Sequence, residues 1–267
     1  MGNKPHFLSV IIPIYKQEKT LFQDLCNISQ TLEKIRYDYE IIAVVDGKYI
    51  DKSYQIAKKC QIKKLKVFAY KKNRGKGYAV RFGMAHTRGD YIAFIDAGME
   101  IDPNGISMVL EHMEWYNADI VVASKKHPAS RVNYPLQRKV ISFGAFIVAR
   151  ILLGITIHDT QAGLKIFKRR VLKKVLPRLL VKNYAFDLEI LSVANHLGFN
   201  RIYEAPVKLT YCFDSLTHAT GLKTIYNSLL DALAVFYRLR ILHYYDNHNK
   251  REWVYDKDLD MRINTGK

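Results

Sequence analysis

The stretch IAFIDAGMEIDP, residues 92–103, runs a short apolar segment straight into Asp96, then Gly98, then the acids Glu100 and Asp102. A nearly continuous apolar run reads as a strand covered on both faces, since a half-exposed strand would alternate. FLSVIIPIY (7–15), YEIIAVVD (39–46) and LKVFAY (65–70) have the same character. Between these runs, TLFQDLCNISQTLEKI (20–35), DKSYQIAKKC (51–60) and GYAVRFGMAHT (77–87) carry helical spacing. Strands alternating with helices predict an α/β fold: an open, mostly parallel sheet flanked by helices, joined by right-handed crossovers. In such a sheet the loops at the carboxyl ends of the strands form the binding edge. Segments 13–18, 46–51, 71–77 and 96–102 are therefore expected to converge on one crevice.

Further along, the pattern predicts a helix over 104–118, strands over 119–125, 163–168 and 200–210, a basic helix over 169–179 and another helix over 185–198. Residues 1–215 read as one domain with an elaborated C-terminal half. The apolar segment 140–157 contains Arg150, which favours a helix lying on protein or at a lipid interface over a membrane span. Residues 216–245 read as an amphipathic helix that either caps the core or rests on a bilayer with its aromatic and basic residues. The remainder, 246–267, reads as a polar, ill-ordered tail.

The chain of 267 residues has a formal net charge of +17, which suits anionic lipid, phosphorylated small molecules or other polyanions without choosing among them. Its basic clusters, 61–77 and 165–174, lie in no helix-turn-helix, zinc-finger or RNP-like context, so no specific nucleic-acid partner is expected. Cys26, Cys60 and Cys212 are scattered and form no CxxC, which argues against a disulfide framework or zinc spacing and for a reducing compartment. The apolar run from Phe7 meets Pro13 and then charged residues without a small-residue cleavage site, so no signal peptide is expected.

The loops suggest their chemistry. Asp102 directly before Pro103 fits a helix start, whereas Asp96 lacks that explanation and reads as an oxygen ligand for a divalent cation facing phosphate. Glu100 is a candidate second ligand. Asp46, at the corresponding end of the second strand, suits a nucleotide contact, and Asp51 reads first as a helix-start residue. NRGKG (73–77) puts two glycines and the cations Arg74 and Lys76 before a helix, an arrangement that cradles anions. It matches neither GxxxxGK[ST] nor GxGxxG, so neither a P-loop ATPase nor a Rossmann dehydrogenase is supported.

Six segments in order, VIIPIYKQEKTL, AVVDGKYIDKS, NRGKGYAVRFG, IDAG, DTQAGLKIFKR and AFDLEI, resemble the family 2 glycosyltransferases, in the branch of dolichyl-phosphate glucosyltransferases, mannose synthases and polyprenyl-phosphate relatives. The resemblance covers about residues 7–210. It implies a GT-A type fold and inverting transfer of a hexose from a nucleotide-diphospho-sugar, UDP-glucose or GDP-mannose, to a polyprenyl or dolichyl phosphate, with Mg2+ or Mn2+. It further implies that Pro13, Tyr15 and Glu18 line the nucleoside pocket, that Asp46 faces the nucleoside and that Asp96 takes the first position of the family's DxD metal motif. Arg138, Lys139 and Arg150 would lie near the lipid phosphate and Gln161 near the donor sugar. The wording departs from the family in that Asp96-Ala97-Gly98 lacks the second aspartate of DxD. A peripheral position on the cytoplasmic face of a membrane would follow from the lipid acceptor. Two alternatives are an acceptor that is a polysaccharide or soluble sugar, needing a base among Asp159, Asp187 and Glu189, and a non-catalytic basic nucleotide-binding protein.

Overall fold

The computed structural model describes residues 6–98, 101–130, 150–181, 185–208, 222–247 and 251–264, with side chains of 222–228 excepted. In chain order the elements are β1 (Phe7–Ile14), α1 (Leu21–Leu32), β2 (Asp38–Asp46), α2 (Ser53–Lys59), β3 (Leu65–Tyr70), α3 (Lys76–Ala85), β4 (Tyr91–Ile95), α4 (Gly105–Trp115) and β5 (Ile120–Ser124). They continue with β6 (Leu164–Lys168), α5 (Arg169–Val175), a 3-10 turn (Leu176–Arg178), α6 (Phe186–His196), β7 (Ile202–Pro206), α7 (Leu222–Phe236), a π-helical turn (Tyr237–Ile241), β8 (Trp253–Asp256) and β9 (Met261–Asn264).

Seven strands form one sheet in the order β3-β2-β1-β4-β6-β5-β7. All neighbours pair in parallel except β6, which is antiparallel to both β4 and β5. The fold is thus the expected open α/β sheet flanked by helices, mixed only at β6. The strands are apolar throughout because each feeds two cores. Ile11, Ile42, Val44, Ile92 and Phe94 point to the face covered by α3, α6 and α7. Val10, Ile12, Ile41, Ala43, Ala93 and Ile95 point to the face covered by α1 and α4. Two-residue periodicity then places apolar side chains at consecutive positions.

Chain order reverses between β1 and β4, and a crevice at the carboxyl ends is the geometric result. The β1–β4 ladder ends at Ile11 and Phe94. Pro13 lies beyond it, so its missing N–H leaves no gap in that ladder.

Two expectations for the C-terminal part are corrected. The polar stretch after Asp246 forms the β8–β9 hairpin, whose turn buries Leu259. The helix expected over 216–245 is, among the described residues, Leu222–Phe236, which gives way to the π-helical turn. Tyr244 and Tyr245 are buried in the core beside α6, so the far end of this segment caps the core. Of segment 140–157, residues 140–149 lie outside the described residues. Arg150 and Ile151 are exposed on a helical turn, while Leu153, Ile155 and Ile157 join the core.

Candidate active site

Asp96 follows β4 directly, and its backbone N–H donates to the Gly163 carbonyl at 3.0 Å. A Cβ on Gly163 would stand 2.7 Å from Asp96 Oδ2, so glycine at the head of β6 is what lets the carboxylate sit there. That Oδ2 accepts from Lys76 Nζ at 2.9 Å. Lys76 is the first residue of α3, and its ammonium also lies 3.6 Å from Asp187 Oδ2 in the first turn of α6. The other oxygen of Asp187 accepts from Lys165 Nζ at 2.6 Å, and Lys165 donates a further bond to the Ala162 carbonyl at 2.7 Å. Lys165 is wholly buried within β6. Two lysines and two aspartates thus form a chain running from the crevice into the core.

The electrostatics follow from that arrangement. Burial alone would lower Lys76, but Asp187 and then Asp96 outweigh it and hold the ammonium above the ordinary lysine range. Burial alone would raise Asp187, yet Lys165 and Lys76 keep it below the usual carboxylate range. Lys165 is pulled down by burial, against the opposing pull of Asp187. Asp96 Oδ1 is buried with no hydrogen-bond partner among the described residues. A carboxylate oxygen in that state is an open acceptor, and filling it is worth more than filling one already solvated.

Asp46 holds the turn before α3. Its Oδ1 accepts from the Arg74 N–H at 2.7 Å, and its Oδ2 accepts from the Gly75 N–H at 2.9 Å and from Asn73 Nδ2 at 3.0 Å. Sequence placed Asp46 against the nucleoside; in the structure it is buried and committed to shaping the turn that starts α3. Through that turn it delivers Lys76 to Asp96. Arg74 stacks on the Tyr78 ring at 4.5 Å and pairs with Asp258 of the C-terminal hairpin at 3.3 Å.

The β1–α1 loop makes the adjoining wall. Tyr15 and Glu18 are exposed there, just past Pro13, and Glu18 Oε2 accepts from the Lys52 N–H at 3.1 Å. A cavity of about 360 Å3 opens between this loop and Ile50 and Asp51. A second, of about 310 Å3, lies by Tyr37, Asp38 and Lys64 at the amino end of β2, away from Asp96. Gln161 is exposed two residues before Gly163. Arg138, Lys139 and Glu100 lie outside the described residues.

The residues described do not by themselves fit a protein-held Mg2+ or Mn2+. A protein cage for such an ion supplies about six oxygen ligands, whereas an ion bound with phosphates takes one or two carboxylates; among the described residues no group of three His, Cys, Asp or Glu side chains is placed to hold a metal. Asp96 offers one open oxygen. Gly98, in the second aspartate's place, has φ +94°, a conformation strained for any residue with a Cβ, and its N–H donates to Asp24 Oδ2 at 3.2 Å.

Sequence reasoning singled out Asp96 and Lys76 separately but missed Lys165. A lysine inside the apolar run GLKIF was the available signal, because a charge in a two-sided strand needs a buried partner.

Residues 9–176 match the model of glycosyl transferase family 2. Among curated proteins, the chain is 32% identical over 206 residues to the dolichyl-phosphate beta-glucosyltransferase of Drosophila melanogaster, covering 71% of this chain and 63% of that one. It is 29% identical over 206 residues to the protein of that name from Dictyostelium discoideum, covering 72% of this chain and 63% of the relative. The match thus spans under two thirds of these relatives' length. Among solved structures, mannosyl-3-phosphoglycerate synthase from Rubrobacter xylanophilus superposes with a TM-score of 0.67 at 16% identity, over 92% of this chain and 77% of that chain. Glucosyl-3-phosphoglycerate synthase from Mycobacterium tuberculosis, in complex with Mn2+, UDP-glucose and phosphoglyceric acid, superposes with a TM-score of 0.63 at 17% identity, over 86% and 80%. These likenesses establish the GT-A-like fold. With the family model matching well over half of its length, the chain belongs to glycosyl transferase family 2.

Proposed function

We propose that the chain transfers a hexose from a nucleotide-diphospho-sugar, UDP-glucose before GDP-mannose, to the phosphate of a polyprenyl or dolichyl phosphate, with inversion at the anomeric carbon. One observation carries the choice of acceptor: the carboxylates that an acceptor hydroxyl would need as a base are already engaged. Asp187 is locked between Lys165 and Lys76. Asp159 is buried and accepts from the Lys125 N–H at 3.0 Å. Glu189 accepts from the N–H groups of Leu180 and Val181 and from the Tyr245 hydroxyl at 2.7 Å, deep in the core. A phosphate acceptor is ionised near pH 7 and requires no base.

In this reading an acceptor phosphate oxygen attacks the anomeric carbon while the bond from that carbon to the diphosphate oxygen breaks. The electron pair leaves with the nucleotide diphosphate. Lys76 and Arg74, at the amino end of α3, supply positive charge where the negative charge develops. Asp96 offers its open oxygen to the donor. A second reading, transfer to a small soluble acceptor, draws on the fold shared with the phosphoglycerate synthases; Asp96, with an unpartnered oxygen, would then be a candidate base. The test is to incubate purified protein with radiolabelled UDP-glucose or GDP-mannose and either polyprenyl phosphate in detergent or 3-phosphoglycerate. Label entering the organic phase is expected; label found only in a water-soluble product overturns the lipid acceptor.

Membrane association, on the cytoplasmic face, is proposed with the lipid acceptor. No described helix is long and apolar enough to cross a membrane. Leu229, Leu233, Tyr237 and Ile241 recur every four residues on the exposed side of α7 and the turn after it, with Leu230 beside them. Exposed Arg240 and Arg150 flank the stripe, and Gly154 brings the 150–153 turn next to Arg240. An apolar face with flanking cations suits an anionic bilayer surface. Replacing Leu233 and Ile241 together by glutamate is expected to lower binding to anionic liposomes by at least about tenfold. Flotation in which the double variant binds like the wild type would remove this surface from the account.

A further inference from the structure

We propose that the Lys76 ammonium is the built-in cation of the site: it takes the diphosphate of the nucleotide-sugar in place of a protein-held divalent ion, so that the donor binds without added metal. This rests on the nucleotide-sugar reading above.

Three observations carry it. The first is the ligand set. One described carboxylate oxygen is open, and the position where a second aspartate would stand is a glycine at φ +94° whose N–H is already bonded to Asp24. That loop is built around glycine.

The second is charge balance. Asp96 and Asp187 are matched by Lys76 and Lys165 at 2.9 and 2.6 Å. A doubly charged ion bound to Asp96 would face the Lys76 ammonium across a single carboxylate, and like charges at that range repel.

The third is placement. Lys76 opens the ten-residue helix α3, whose first N–H groups and positive end face the same crevice. Its side chain is 26% exposed and that of Lys165 is not exposed at all, so of the two lysines Lys76 is the one on the crevice side. Asp187, fixed from behind by Lys165, anchors Lys76 when Asp96 turns to the donor. As the bond between the anomeric carbon and the diphosphate oxygen breaks, the ammonium hydrogen-bonds to the phosphate oxygens that gain charge, and no proton need move.

The test is calorimetry with UDP-glucose and, in parallel, GDP-mannose. Wild type, Lys76→Gln and Lys76→Arg are each measured in EDTA and in MnCl2, with a thermal melt to confirm folding. Wild type is expected to bind its donor in EDTA within about threefold of its affinity in Mn2+. Lys76→Gln should weaken binding in EDTA by about 30-fold or more, and Lys76→Arg should keep it within about tenfold of wild type. Wild-type binding that is lost in EDTA and returns with Mn2+ overturns the inference while leaving the donor reading intact. Lys76→Gln binding like wild type in EDTA does the same. Binding of neither donor under either condition overturns the donor reading and this inference with it. Should Lys76→Gln fail to fold, the wild-type comparison alone decides.

Discussion

Asp96→Asn is expected to lower kcat by about 10²–10³-fold at saturating donor while leaving the fold intact. The substitution keeps the shape of the side chain and its hydrogen bond to the Gly163 carbonyl, which comes from the backbone N–H. It removes the charge that draws Lys76 towards the crevice and the anionic oxygen left open at Oδ1. Lys76 would then pair with Asp187 alone, 3.6 Å away and deeper in the protein. Asp96 lies at the end of β4, part-exposed, so the structural consequence is small beside the loss of an electrostatic group at the site. Single-turnover and steady-state rates with a labelled nucleotide-sugar measure the effect. Turnover within about twofold of wild type would take Asp96 out of the chemistry.

The second large effect is on stability. Lys165→Met should destabilise the protein by about 3–5 kcal/mol, since removing one partner of a buried ion pair leaves the other charge uncompensated. Against a typical total of about 5–15 kcal/mol, that is enough to lower the urea midpoint markedly. Lys165 and Asp187 are the fully enclosed half of the four-charge chain, 0% and 5% exposed at the side chain. The double variant Lys165→Met, Asp187→Leu should recover most of the loss, because an apolar pair of similar volume replaces a buried ion pair at little cost. Turnover should nevertheless stay low, as Lys76 has lost its anchor. Recovery of turnover along with stability would show that the inner pair serves packing only.

The pH dependence follows in sign. The folded-state pKa of Asp187 lies below its unfolded value, so its pairing stabilises fully above about pH 4 and fades as the pH falls through the folded value. The advantage of wild type over Lys165→Met is therefore expected to shrink in acid.

The stretch 92–103 and its three companion runs were enough to predict the parallel strands β1 to β4. Continuous apolar strands require cover on both faces, and the helical spacing between them leaves right-handed crossovers as the way to provide it. The placement of Asp96 and of the NRGKG turn at the carboxyl edge followed from the same reasoning, because strand direction decides which loops share an edge. Lys76 was legible as a cation before a helix, but its partner was not.

Only the tertiary structure decided which charges meet. Asp187 lies 111 residues after Lys76, and 22 after Lys165; nothing in local periodicity brings those three together. The insertion of β6 antiparallel between β4 and β5 does so, by carrying Lys165 under Phe94 and Gly163 against Asp96. Asp46 shows the same limit: sequence places a carboxylate at the strand end, and only the folded turn shows that residues 73–75 donate to it. The C-terminal hairpin was hidden because its four-residue strands, half exposed, carry little apolar signal of their own. Local patterning fixes strands and helices through the water each side chain avoids, whereas a buried ion pair is fixed by long-range packing that brings distant segments within a few ångströms.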